Sequence, residues 1–155
     1  MAVIVVGFRS PVIEVLIRQQ IPFAIWASSK IPTQYIEKSL GVYREDFCEN
    51  STSLQLAADY FNSLGSFQHV ISPIEKTVYI ASLLAQKLMI SHYLPELAIS
   101  VVDKFVMKEK LKEYHIPMTE HEKYEPSLDL SQIGQRFGFP LVIKKRISSG
   151  SRGLF

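Results

Sequence analysis

The chain carries one cysteine, Cys48, among 155 residues, so no internal disulfide can form, and no CxxC pair or His/Cys cluster is present to hold a metal. That usage reads as a cytoplasmic protein. Charge of one sign is scarce too: 17 Lys and Arg face 15 Asp and Glu, a net charge of +2, and no block of five or more like charges occurs. A dedicated nucleic-acid binder usually shows more, so no nucleic-acid partner is expected. Long uninterrupted hydrophobic runs are also lacking. The opening "MAVIVVGFRSPVIEVL" has no basic segment before it and is broken by Arg9 and Glu14, which fits neither a signal peptide nor a membrane span. The apolar segment 78–94 holds Lys87 in a helical pattern and reads as a buried helix. Core-forming residues, by contrast, are plentiful. With 47% hydrophobic residues, the chain can fill one ordinary domain, or a small domain and part of another.

Local patterns alternate between strand and helix. "VIVV" at 3–6 is a β-branched run closed by Gly7, and "PVIEVLIRQQ" follows with Pro11 placed for a helix start after Ser10. "IPFAIWA" at 21–27 predicts a second strand. Two parallel strands need a crossover of this kind, so a βαβ unit is the economical reading. Residues 30–50 show no clean period beyond a candidate helix at "PTQYIEKS", and read mostly as loop. "SLQLAADYFNSLG" at 53–65 sets Leu54, Ala57, Ala58 and Phe61 at helical spacing before Gly65. "FQHVIS" at 67–72 returns as a strand. In "SPIEKTVYIASLLAQKL", Ser72, Pro73 and Glu75 have the spacing of a capping box. Residues 1–90 therefore predict an α/β open parallel sheet of Rossmann-like type.

The order changes near residue 100. "DKFVMKEKLKEYHIPM" predicts a helix over about 103–114, with Met107, Leu111 and Tyr114 on one face and Lys104, Lys108 and Lys112 on another. A strand "MTEHEKY", a helix "SLDLSQIGQRFG" and a strand "FPLVIKK" follow. Charge shifts with the topology, since residues 1–100 hold 7 basic and 8 acidic side chains and residues 101–155 hold 10 and 7. Any anion site leans C-terminal.

The first strand ends in "GFRSP", which lacks the second and third glycines of a dinucleotide fingerprint and disfavours NAD or FAD. Gly7 reads as making room in a strand-to-helix turn, with a minor ligand role left open for Arg9 and Ser10. The four histidines are scattered, and Cys48 has no histidine near it in sequence, so neither predicts a catalytic group. The last residues differ. Ser148, Ser149, Gly150, Ser151 and Gly153 are small enough for backbone N–H groups to approach phosphate oxygens, and Lys144, Lys145 and Arg146 stand just before them. Lys104 sits in the first turn of its helix, where the dipole favours acids, so an external anion would explain it.

Taken together, "DK…MKEKLKE…IPM", "FGFPLVIKKR" and "SSGSRGLF" resemble the ATP-grasp superfamily, whose members join a carboxylate to an amine or similar nucleophile through an acyl phosphate. The resemblance extends to carboxylate-amine ligases and to carbamoyl-phosphate synthase or biotin carboxylase-like relatives. It implies a Rossmann-like pre-ATP-grasp domain at 1–100 and the beginning of the ATP-grasp nucleotide-binding domain at 101–155. Lys104 and Lys144 would contact nucleotide phosphate, and Ser149, Gly150, Ser151, Arg152 and Gly153 would form a mobile loop over it. Lys145, where the family usually has Pro or Ala, and Ser148, where Gly is common, depart from the pattern.

The implied cofactors are ATP and Mg²⁺, with the Mg²⁺ ligands expected downstream of residue 155, and the implied partner is a small-molecule carboxylate substrate. The chain reads as the front portion of a longer ligase, inactive by itself. No membrane partner is expected, and the oligomeric state is left open, a homo-oligomer included. Two other classes stay in view: a non-catalytic Rossmann-like module for a small ligand or partner, and an RNA-binding module, which the low net charge disfavours.

Overall fold

The computed structural model describes residues 1–92, 94–125 and 129–147. The chain divides into two compact units, Met1–Ala98 and Ile99–Phe155.

The first unit begins with β1 (Val3–Val6), α1 (Ser10–Arg18) and β2 (Phe23–Trp26). A short α2 (Thr33–Ile36), β3 (Val42–Tyr43), α3 (Ser51–Leu64) and β4 (His69–Ile71) come next. A 3-10 turn at Glu75–Thr77 leads into α4 (Val78–Lys87), and α5 (Pro95–Val102) carries the chain across the division. The strands form one sheet in the order β3-β2-β1-β4, and every pairing is parallel. β1 is the central partner, with Val3 opposite both Phe23 and His69. All four of its residues are buried, as a strand covered on both faces requires.

Alternation along the strands sorts the core into two layers. Ile4, Val6, Ala24 and Trp26 face Leu54, Ala57, Ala58 and Phe61 of α3 and Ile80, Ala81, Leu84 and Ala85 of α4. Val3, Val5, Phe23 and Ile25 point the other way, toward Ile13 and Leu16 of α1 together with Ile31 and Tyr35. The period of two in the strands thus meets helical stripes on both sides. The Rossmann-like open sheet expected from the sequence is present.

Several expectations need correction. Residues 30–50 contain β3, whose two residues hold the sheet edge by pairing Val42 with Ile25 and Tyr43 with Trp26; a strand this short has no period to read. The capping box does not form. Ile74 is extended (φ −129°), which delays the helix, and Ser72 instead donates to the Ile74 carbonyl at 2.8 Å and pairs with the Thr77 hydroxyl at 2.6 Å. Glu75 lies exposed on the 3-10 turn. The helix read over 78–94 ends at Lys87, where Met89 takes a positive φ of 55°. Its N–H and that of Ile90 close back on the carbonyls of Gln86 and Ala85.

In the second unit, α6 (Lys104–Glu113) and α7 (Leu130–Phe137) are the helices. Met107 and Leu111 are half-buried, whereas Tyr114 is 73% exposed. The expected strands at 118–124 and 139–145 are absent. A strand persists only where a neighbour completes its hydrogen bonds, and among the described residues these segments meet none. Near the second of them the pairing reduces to isolated bridges, with Asp103 antiparallel to Ile147.

Candidate functional site

The site candidates described in the second unit gather where residues 144–147 meet the N-terminus of α6. Asp103 is the N-cap of that helix: its Oδ1 accepts from the N–H groups of Phe105 (2.9 Å) and Val106 (3.2 Å), satisfying donors that the helix itself leaves orphaned. Arg146 grips the same carboxylate, with Nε 3.2 Å from Oδ1 and a terminal nitrogen 2.5 Å from Oδ2. The Asp103 side chain is 5% exposed and that of Arg146 47%. Burial alone raises the Asp103 proton affinity; the hydrogen bonds from Arg146, Val106 and Phe105, with the Arg146 charge, outweigh it and hold the carboxyl below its ordinary value. The Arg146 guanidinium also lies 5.5 Å over the Phe105 ring.

Lys104 meets the same segment. Its backbone N–H donates to the Arg146 carbonyl at 3.1 Å and its Nζ reaches that oxygen at 3.3 Å. The expectation that this lysine gains nothing locally is therefore corrected: an unpaired carbonyl lies within its reach, which helix position alone does not disclose. Lys144 is exposed. Next to it stands Lys108, one turn along α6 from Lys104, whose Nζ donates to the carbonyl and hydroxyl of Thr119 at 3.2 and 2.9 Å. Burial, and then the charge of Lys144, lower the Lys108 proton affinity. The structure thus brings Lys104 and Lys144 to one region of the second unit. Ser149, Gly150, Ser151, Arg152 and Gly153, and the loop mobility expected from Ser148 onward, lie outside the described residues.

Sequence reasoning did not single out Asp103, Arg146 or Thr119 as site builders. A buried Asp at a helix start with a lone Arg more than forty residues later was the available signal for the first two. Thr119 leaves none, because it contributes through a contact across a turn.

Elsewhere, Gly7 (φ +93°) has no room for a side chain. A Cβ there would lie 2.8 Å from Ile74 Cδ1 and 3.1 Å from the Thr77 hydroxyl. The carboxyl end of β1 is closed by that hydroxyl, which donates to the Val6 carbonyl at 2.9 Å. Arg9 is the exposed N-cap residue of α1 and makes no side-chain cap. Among the described residues, no group of three or more His, Cys, Asp or Glu side chains could hold a metal ion. No helix among them is long and apolar enough to cross a membrane.

No family profile matches the chain. Over 92 residues, 59% of this chain, it is 28% identical to an L-arginine-specific L-amino acid ligase of Bacillus subtilis and spans 22% of that protein. Among solved structures, an L-amino acid ligase from Bacillus licheniformis superposes with a TM-score of 0.76 at 13% identity, covering 95% of this chain and 37% of its own. N5-carboxyaminoimidazole synthase from Aspergillus clavatus, solved with ADP and 5-aminoimidazole ribonucleotide, gives 0.69 at 24% identity over 99% and 39%. These proteins are ATP-grasp ligases, and this chain has the fold of their N-terminal portion, Rossmann-like domain included. The resemblance read from the sequence is borne out at that level. The chain spans well under half the length of each of these relatives.

Proposed function

We propose that the chain provides the front part of an ATP-dependent ligase of the ATP-grasp type, with residues 101–155 taking the triphosphate and residues 1–100 contributing to the acceptor side. The observation that carries this reading is the gathering of Lys104 and Lys144 around a backbone segment that Asp103 and Arg146 fix to the start of α6. Fixed ammonium groups stabilise phosphate charge without reorganising during reaction. Lys104 and Lys144 would contact the phosphates, and Ser149, Gly150, Ser151, Arg152 and Gly153 would close over them. In the whole enzyme the γ-phosphoryl group of ATP would pass to a carboxylate oxygen, releasing ADP, and an amine would then displace phosphate from the acyl phosphate. Mg²⁺ does not fit the described side chains, which offer no carboxylate cluster, so no step is assigned to it here.

The test is a calorimetric titration of the full chain with ATP, with phosphate release assayed in parallel. Weak binding that weakens further in salt and is lost in Lys144→Ala, without turnover, is the expected result. Robust turnover would show a complete catalytic apparatus in this chain and sink the fragment reading; binding untouched by Lys144→Ala would sink the phosphate assignment.

A further inference from the structure

Each carboxylate on or capping α6 already has a cation or imidazole partner. Asp103 holds Arg146, Glu109 Oε1 lies 2.8 Å from His121 Nε2, and Glu113 pairs with Lys110 at 2.9 Å. Lys108 and Lys144, on the same unit, form no ion pair among the described residues. Lys108 is also not a loosely waving surface lysine. Its stem is half-buried on α6, and two of its three N–H donors are committed to Thr119. That fixes where the ammonium sits and leaves one proton to offer.

We propose that Lys108, anchored by Thr119, and Lys144 form a dicationic seat for a phosphate oxyanion, making Lys108 a phosphate contact in addition to Lys104 and Lys144. Two ammonium groups held together repel one another, and a multiply charged anion between them turns that repulsion into attraction. The proton affinity of Lys108, depressed first by burial and then by Lys144, is the mark of this juxtaposition in the free protein. A neutral ligand would relieve nothing. Lysine ammonium groups are compact point charges with rotatable donors, suited to the oxygens of phosphate rather than to a planar fork. The identity of the natural ligand rests on the nucleotide reading above; the existence of the seat does not.

The full chain would be titrated at low salt with ADP and, separately, with inorganic pyrophosphate, which has the phosphate oxygens without base or ribose. Lys108→Met keeps the half-buried stem, Lys108→Arg keeps the charge, and Lys112→Met removes a charge from the exposed part of the same helix. Expected are a roughly fivefold or greater weakening of pyrophosphate binding in Lys108→Met and Lys144→Met, partial retention in Lys108→Arg, and little change in Lys112→Met. Resonances of Lys108 and Thr119 should shift on binding. ADP binding that needs Lys144 but ignores Lys108→Met would overturn the seat while leaving the nucleotide reading intact. Pyrophosphate binding that needs Lys108, with no binding of ADP, would uphold the seat and remove the nucleotide reading. Failure of wild type to bind either probe, or equal losses in Lys108→Met and Lys112→Met, would overturn the seat.

Discussion

Asp103 does two jobs with one carboxylate, and substitutions can separate them. Asn is as good an N-cap as Asp, so Asp103→Asn keeps the bonds to Phe105 and Val106 and loses only the charge facing Arg146. Because the Arg146 side chain is 47% exposed, solvent screens the pair, and Asp103→Asn should cost about 1 kcal/mol or less. Asp103→Ala also removes the cap and should cost about 1 kcal/mol more. The folded-state proton affinity of Asp103 is depressed relative to the ordinary pKa of 3.8. Its contribution is therefore fully present above that value and is lost as pH falls through the lower folded one. Urea unfolding of wild type and Asp103→Asn, followed through α6 amides, should give curves that differ at neutral pH and converge below pH 3.8. A constant difference down to pH 2 would mean that the charge contributes nothing.

Between elements, Thr77 ties β1 to the start of α4. Its fully buried hydroxyl bonds to the carbonyls of Val6 and Ile74 and to Ser72, so the isosteric Thr77→Val should cost about 1–3 kcal/mol by leaving buried acceptors unpaired. Thermal unfolding checks it, and a stable Thr77→Val would show that water replaces these bonds. Phe61 at 0% exposure fills the layer between the sheet and α3, and Phe61→Ala should cost about 3–5 kcal/mol through transfer and cavity terms.

These contacts also mark what the sequence discloses. The stripe Leu54, Ala57, Ala58 and Phe61 and the runs at 3–6 and 23–26 carry their burial in their own spacing, and the structure matches them. β3 and the turn around Ser72 depend on partners distant in sequence: Val42 is a strand residue only because Ile25 lies beside it, and Ser72 fails as a cap because Thr77 and Ile74 occupy its hydroxyl. In the candidate site, lysines and small residues could be read as a phosphate-binding composition. The grip of Asp103 on Arg146 spans 43 residues and has no local pattern.

Across the whole chain, burial is unequal. The large, fully buried side chains, from Trp26 and Phe23 to Leu84, all belong to Met1–Ala98. α6 has no buried residue and α7 only Gly134. Apolar burial contributes roughly 25 cal/mol per Å², so the first unit has the larger reserve against opening, and α6 is held chiefly by its cap, the Arg146 latch and the Lys108–Thr119 bonds. Hydrogen exchange on the full chain should then separate the two units. Amides of β1, β2, α3 and α4 should exchange only through the highest-energy openings, while those of α6 and α7 exchange through smaller ones. A ligand that binds the closed form raises the cost of opening by mass action. Pyrophosphate should therefore slow exchange in α6 and leave the β1 amides unchanged. Equal protection in both units without ligand would refute the burial argument, and slowing spread evenly over the chain would place the anion somewhere other than beside α6.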